Sequence, residues 1–432
     1  MSKRELSRRS FFSASAAAGA AAIAHPVNMA AQSAGVKAGD LPDLTIKEVK
    51  IYVTDLGSIR QNPSGLGIGS EIAAMVTAGG IEGNFTLGNR GNPPGWIDFA
   101  KSVCVGKNLF ELLNTVAYTP NQPPRGGPGA GAFIGGFGFA NRRSGAATPN
   151  VHASACDFIL WDILGKAVNR PIYKILGGTK NKVLAYASSQ HLATVEDFGP
   201  DAVKAKAAGF KGYKIHPGGG QRKSGGRIPA YLGHIDEIKT VRKAVGDDFT
   251  LLFDPVQGYN YFEALKVGRV LDDQGYVSFE DPIPTTEIEG LIELRKALDV
   301  PIEVGEFLLS ITDYAEYIRR GAMDVARLIV DNLCGITGSF RIGQMADAFG
   351  MPCTPHNWGS AFDVAAAFQI ELALPNTYWF EMPWPMEYTD RPYLRDKFRI
   401  DAEGYVPAPT APGMGYPLDR AGLEKVTTRI DR

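Results

Sequence analysis

The sequence predicts an α/β protein, a modified (β/α)8 barrel of the TIM type behind an N-terminal α+β capping domain. Two observations carry this. From Lys182 onward, short β-branched or aromatic runs alternate with amphipathic helical stretches, the order that builds a parallel sheet. The polar residues that close the successive strand candidates are Ser189, Lys214, Asp254, Glu280, Glu306, Asp331, His356 and Glu381, spaced 25, 40, 26, 26, 25, 25 and 25 residues apart. One strand, one helix and two turns take about 25 residues, so each step is one βα unit and eight units close a barrel. The interval of 40 holds an insertion of about 15 residues, visible as the glycine-rich, basic stretch 217–233.

The elements follow in chain order. Residues 1–34 read as a twin-arginine export signal. Arg8 and Arg9 precede Ser10-Phe11-Phe12, a weakly apolar run spans Ser13 to Ala24, and small residues follow to Ala31. The expected location is the periplasm, and the run is too short and too weak to anchor the chain in a membrane. Residues 41–180 form the cap. They open with the strand candidates TIKEVKIYVT and Ile81 to Leu87, continue with helices, and end in FILWDILGKAVNRPIYKILGG, which stops at Gly177-Gly178 as helices do. Stretches 56–70 and 119–137, rich in glycine and proline, read as long functional loops.

The barrel covers 181–385. Its strands are VLAYASS, KGYKIH, TLLFD, YVSFE, IEVGE, ARLIVD, MPCTPH and TYWFE. Its helices are Ala202 to Ala208, His234 to Val245, Tyr261 to Asp272, Glu287 to Leu298, Ile311 to Arg320, Phe340 to Phe349 and Phe362 to Leu374. Residues 386–432, through PAPTAPGMGYPLD, suit a segment packing back on the cap. A net charge of -1 with both signs mixed favours neither a nucleic acid nor an anionic membrane. Cys104, Cys156, Cys334 and Cys353 lack metal-ligand spacing, and buried free thiols are expected.

In barrels of this type the C-terminal strand ends line the active site, and here seven of the eight end in an ionisable residue. Asp254, Glu280 and Glu306 lie on consecutive strands about 4.8 Å apart. Three carboxylates that close need a cation, and an all-oxygen set points to Mg²⁺, with Mn²⁺ as the alternative. His356 and Asp331 end neighbouring strands, so the carboxylate can fix the imidazole tautomer and raise its basicity. Lys214 and His216, two apart on the second strand, face the same way. His216 is the second acid/base group, and Lys214 is placed to hold a carboxylate of the substrate or of a ligand residue. Glu381 is expected to be protonated by burial near other carboxylates, and so able to donate to a developing enediolate.

On these motifs the chain resembles the enolase superfamily, specifically the acid-sugar dehydratases of the mandelate racemase and muconate lactonizing enzyme group. The resemblance rests on LWDILGKAVNRPIYKILGG, YKIH, LLFDP, SFEDP, VGE, IVDNLCGITG, TPH and the closing FE with PGMGYPLD, in order from residue 45 to 420. It implies an enzyme that removes the proton α to a carboxylate and passes through a metal-stabilised enediolate. The expected reaction is dehydration of an aldonate or aldarate to a 2-keto-3-deoxy acid; the alternative is racemisation or epimerisation of a 2-hydroxy or related carboxylate. A small carboxylate is the expected partner, and a homo-oligomer the default assembly. The group usually has Lys-x-Lys on the second strand, whereas here the second position is His216. Phe307 follows the third ligand where mandelate racemase has asparagine. The sixth strand ends in Asp331, not in the lysine of muconate cycloisomerases, dipeptide epimerases and enolase, which disfavours those branches.

Overall fold

A computed structural model describes residues 41–56, 71–87, 93–113, 115–116, 151–218, 230–308, 310–330 and 335–432. The export-signal segment, Asp331, Cys334, most of the insertion and most of both long cap loops lie outside these residues.

The cap is a four-stranded antiparallel sheet packed on helices. Strands β1 (Ile46–Thr54), β2 (Glu71–Thr77) and β3 (Glu82–Thr86) are joined on the β1 edge by the C-terminal strand β13 (Thr427–Asp431). Two of these strands were not foreseen. EIAAMVT carries β-branched residues at its ends, but its middle, Ala73-Ala74-Met75, breaks the strand signal. It is held by β1 on one side and by the tight turn into β3 on the other. The last turn of the chain, TTRID, becomes a strand only because β1 offers it an edge.

The barrel strands are β4 (Lys182–Ser188), β5 (Gly212–Ile215), β6 (Thr250–Phe253), β7 (Ser278–Glu280), β8 (Ile302–Val304), β9 (Val325–Leu328), β10 (Cys353–Pro355) and β11 (Trp379–Pro383). They run in the order β10-β9-β8-β7-β6-β5-β4-β11, with every neighbouring pair parallel. A short strand, β12 (Tyr405–Pro407), pairs antiparallel with β4 from the C-terminal segment. Between β10 and β11 the ring is bridged by Asn357, whose backbone and side-chain N–H groups donate to the carboxylate and carbonyl of Glu381, each at 2.9 Å.

Among the described residues, seven helices alternate with the strands, and several of their starts are written locally. Asn260 and Glu263 cap each other's backbone ahead of Tyr261–Asp273, and Ser360 and Asp363 do the same ahead of Ala361–Ala373. Ile311–Arg320 starts on the Ser310 side chain and stops at Gly321 in the left-handed conformation, φ 68°. The eighth strand departs from a full βα repeat: a single 3-10 turn, Met386–Thr389, follows it in place of a helix. The core is apolar on the outer faces of the strands, where Phe253, Phe279, Ile302, Val304 and Phe380 are fully buried. The inner faces carry charge.

Candidate metal centre and active site

The bore is built in layers, as the alternation of strand side chains requires. Its floor is centred on Arg327 of β9, a guanidinium with no solvent exposure. Its Nε lies 2.8 Å from Glu280 Oε1, an ion pair without the alignment of a hydrogen bond. Nη1 lies 3.6 Å from Glu303, and Nη2 bonds Glu381. Lys214, equally buried, sits 2.7 Å from Glu280 Oε2, 2.6 Å from Glu381 Oε1 and 3.6 Å from Asp254 Oδ2. Burial and Arg327 work to lower the Lys214 pKa, but Glu280 and Glu381 outweigh them and hold it well above the usual lysine value. Lys214 is therefore a fixed cation that holds a ligand carboxylate. With no exposure it does not, as it stands, present its charge to a substrate.

Glu381 corrects one expectation. Burial does oppose its charge, but Arg327, Lys214 and His356 win, and its pKa lies well below the ordinary carboxylate range. It also accepts from Ser188 Oγ at 2.8 Å and Asn357 N at 2.9 Å. Glu381 is an ionised acceptor and cannot donate to an enediolate. The sequence places Lys214 in the same site but gives no sign of Arg327 beside Glu381, and the two cations together decide its charge.

Above the floor, Asp254, Glu280 and Glu306 each offer an oxygen, and all three oxygens lie within 4.8 Å of one another. Asp254 follows β6 and turns its Oδ1 to accept from Val256 N at 2.8 Å, leaving Oδ2 toward the bore. Glu306 is aimed by a backbone device. Asp281 accepts from Gly305 N at 3.4 Å and Glu306 N at 3.2 Å. Gly305 adopts φ +151°, and a Cβ there would lie 2.1 Å from the Arg327 carbonyl. Only glycine fits. The Gly of VGE and the Asp of SFEDP thus serve to present Glu306.

The charges fit a divalent cation. Desolvation and the neighbouring carboxylate Asp254 lift Glu306 to about 7. Desolvation, ahead of the opposing pull of Arg327, also raises Glu280 well above its ordinary value. Asp254 is held low despite its burial, by Lys214 and His216. Two of three convergent carboxylates that resist ionisation are what an unmet cation requirement produces. Hard oxygen ligands with no sulfur among them suit magnesium, which binds at about 2.1 Å.

Two imidazoles approach this trio. His216 Nδ1 donates to the Ser189 carbonyl at 2.7 Å, and its Nε2 lies 3.1 Å from Asp254 Oδ2. His356, after β10, has Nε2 3.5 Å from Glu306 Oε1. They stand on well-separated strands, one beside each terminal ligand. The Trp358 ring meets His216 edge-on, with centroids 5.9 Å apart, and its indole N–H donates to Ser188 Oγ at 2.8 Å. The structure thus gathers Lys214, His216, Asp254, Glu280, Glu306, His356 and Glu381 in one bore, while Asp331 lies outside the described residues. Arg327, Glu303 and Asp281 were not foreseen. The arginine in ARLIVD, a charge inside a strand run, was the one available signal.

The family model of the Enolase C-terminal domain-like family matches residues 198–422, just over half of the chain. The chain belongs to the enolase superfamily. An arabinonate dehydratase of Saccharolobus solfataricus is 31% identical over 269 residues, covering 61% of this chain and 69% of that protein. A D-gluconate/D-galactonate dehydratase of Picrophilus torridus is 29% identical, covering 63% of this chain and 70% of that protein. Among solved structures, D-glucarate dehydratase of Agrobacterium tumefaciens, complexed with magnesium, superposes with a TM-score of 0.71 at 25% identity, covering 89% of this chain and all of the other. This enolase-superfamily chain is an enzyme allied to the hydro-lyases of the group, with its acidic trio on β6, β7 and β8. Among the described residues no helix is long and apolar enough to cross a membrane.

Proposed function

We propose that the protein is a magnesium-dependent hydro-lyase that converts a sugar acid, an aldonate or aldarate, to its 2-keto-3-deoxy acid. One observation carries the reading: two imidazoles, His216 and His356, flank a carboxylate trio from separate walls of one bore. Dehydration needs such a pair, one group to take the α-proton and one to give a proton to the departing hydroxyl. The three dehydratases named above, each acting on a sugar acid, support the same choice.

Asp254, Glu280 and Glu306 would hold the ion. When bound, it supplies a Lewis acid for the substrate carboxylate and offsets the charge that gathers there as the α-proton leaves. Lys214 and Arg327 hold Glu280 in place and keep Glu381 ionised. His216 is tied to the barrel wall through the Ser189 carbonyl and turns its other ring nitrogen to the trio at Asp254. In this reading His216 is the acid that protonates the β-hydroxyl, and His356 is the base that takes the α-proton. Loss of water leaves an enol that tautomerises to the keto acid.

The test uses the signal-free protein with Mg²⁺ and a panel of aldonic and aldaric acids in D₂O, scoring 2-keto acid and α-deuterium together. We expect a keto product from at least one acid and a loss of roughly 10²–10⁴ in rate for His356→Asn. Deuterium uptake without keto product would replace dehydration by racemisation or epimerisation, which the same two imidazoles would serve. Silence across the panel would remove the sugar-acid reading.

We further propose export to the periplasm on the twin-arginine segment and assembly as a symmetric homo-oligomer. Cell fractionation of wild type against Arg8→Lys/Arg9→Lys tests the first. An equal distribution of the two would sink it. Sedimentation equilibrium tests the second.

A further inference from the structure

At the mouth of the bore, one side chain is buried with nothing to bond. Gln190 is 7% exposed, and neither its amide nitrogen nor its amide oxygen has a hydrogen-bond partner among the described residues. Burying an amide in this way is costly, and a native fold keeps such a group where something else completes it.

The position of Gln190 says what that is. Along β4, Tyr186 reaches into the bore to Arg327 and Ser188 reaches to Glu381. Side chains alternate along an extended chain, so Gln190 continues the inward series one step nearer the mouth. Ser188 is in register with Lys214 on β5, which puts Gln190 level with His216. The contact is close: the carbonyl that accepts from His216 Nδ1, at 2.7 Å, is the Ser189 carbonyl of the Ser189–Gln190 peptide. Trp358, fixed to Ser188, stands edge-on to the same imidazole.

We propose that Gln190 reads a substrate hydroxyl beside His216, at the carbon beyond the one that loses water. An amide offers one donor face and one acceptor face, as does a hydroxyl, and only a polyhydroxylated acid brings a hydroxyl to that place. Gln190 thus sets the preference for sugar acids over simple 2-hydroxy acids. This rests on the dehydratase reading and names the residue on the His216 wall that reads the sugar.

The magnesium-loaded enzyme is assayed as wild type, Gln190→Leu and Gln190→Asn. The substrates are an aldonic acid that the wild type dehydrates and its analogue lacking the hydroxyl next beyond the departing one. Gln190→Leu should lower kcat/KM for the full acid about tenfold, the net worth of a neutral hydrogen bond or somewhat more, mostly through KM. It should match wild type on the deoxy analogue. Its melting temperature should hold or rise, because leucine removes an unpaired buried amide. Gln190→Asn should retain part of the preference. An unchanged kcat/KM, an equal loss on both substrates, or a fall in melting temperature with Gln190→Asn no better than Gln190→Leu would overturn the assignment and give Gln190 a structural role. Failure of the wild type to dehydrate any acid would instead fell the dehydratase reading, and this inference with it.

Discussion

The floor and the mouth of the bore are both lined with polar side chains, yet they differ in how their bonding capacity is met. On the floor, Arg327 spans Glu280, Glu303 and Glu381, and Lys214 spans Glu280 and Glu381. Hydroxyls from Ser188, Ser278 and Thr354 fill remaining acceptor sites on Glu381 and Glu303. At the mouth, Asp254 and Glu306 bring carboxylate oxygens within 4.8 Å of each other, and Gln190 has no hydrogen-bond partner among the described residues. Charge that is matched within the protein builds a frame. Charge and hydrogen-bonding capacity left open at one end of that frame is where an ion and a substrate belong.

The sharpest way to break this contrast is to remove the floor's cation. Arg327→Met leaves Glu280 and Glu381 to Lys214 and takes from Glu303 its arginine, and should cost about 3–5 kcal/mol of stability, the usual effect of stranding buried charge. Urea unfolding measures it. A loss under 1 kcal/mol would mean the floor is not the frame described here.

At the mouth the sign reverses. Glu306→Gln relieves crowding, because Glu306 is the ligand whose charge burial and Asp254 oppose, and should leave the metal-free protein at least as stable as wild type. Wild type should gain about 2.7 kcal/mol from Mg²⁺ at a hundred times its dissociation constant, by mass action alone, and the variant should gain nothing. Calorimetric melting with and without Mg²⁺ reads both. Equal stabilisation of the two proteins would place the ion elsewhere.

A smaller effect separates floor from mouth within one carboxylate set. Thr354 Oγ1 donates to Glu303 Oε1, whose other contact is Arg327 Nη1 at 3.6 Å. Thr354→Val keeps the shape and deletes that bond, so stability should fall by about 1.5–3 kcal/mol, as for hydrogen bonds to charged groups. The turnover number should hold, because the bonds of Glu303 run to Arg327, Ser278 and Thr354 on the floor. A variant that keeps its stability but loses turnover would move Glu303 into the reacting layer.

These two layers were not equally legible. The ligands could be read because a barrel imposes one period, and Asp254, Glu280 and Glu306 fall on it at 26-residue steps. His216 and Lys214 followed from strand alternation. The floor could not be read, because it depends on which strands meet across the bore. That Arg327 on β9 touches Glu381 on β11 and Glu280 on β7 is a fact of closure, invisible in ARLIVD. The state of Glu381 went wrong for the same reason. In the cap, β2 and β13 were missed because each run is short and its pairing with β1 is not written in the run itself. Gln190 left no mark, since an amide at a strand end is ordinary until its surroundings are known.

The last distinction is in pH. Glu306 and Glu280 have folded-state values above the ordinary glutamate, Glu306 at about 7, from desolvation with the neighbouring carboxylates. A raised value means the folded state binds protons more tightly than the unfolded one, so this contribution to stability is complete below the unfolded value of 4.5 and is lost as pH rises through about 7. Asp254 and Glu381 shift the other way, and their contributions vanish only in acid, below the ordinary carboxylate range. The windows do not overlap. Metal-free protein should therefore lose stability steadily between about pH 5 and pH 8, measured as urea midpoints across that range. Saturating Mg²⁺ should flatten the slope by neutralising the mouth, and should leave a residue of it, because buried Asp281 and Glu371 are also raised and neither belongs to the trio. A slope unchanged by Mg²⁺ would place the titrating groups outside the metal centre.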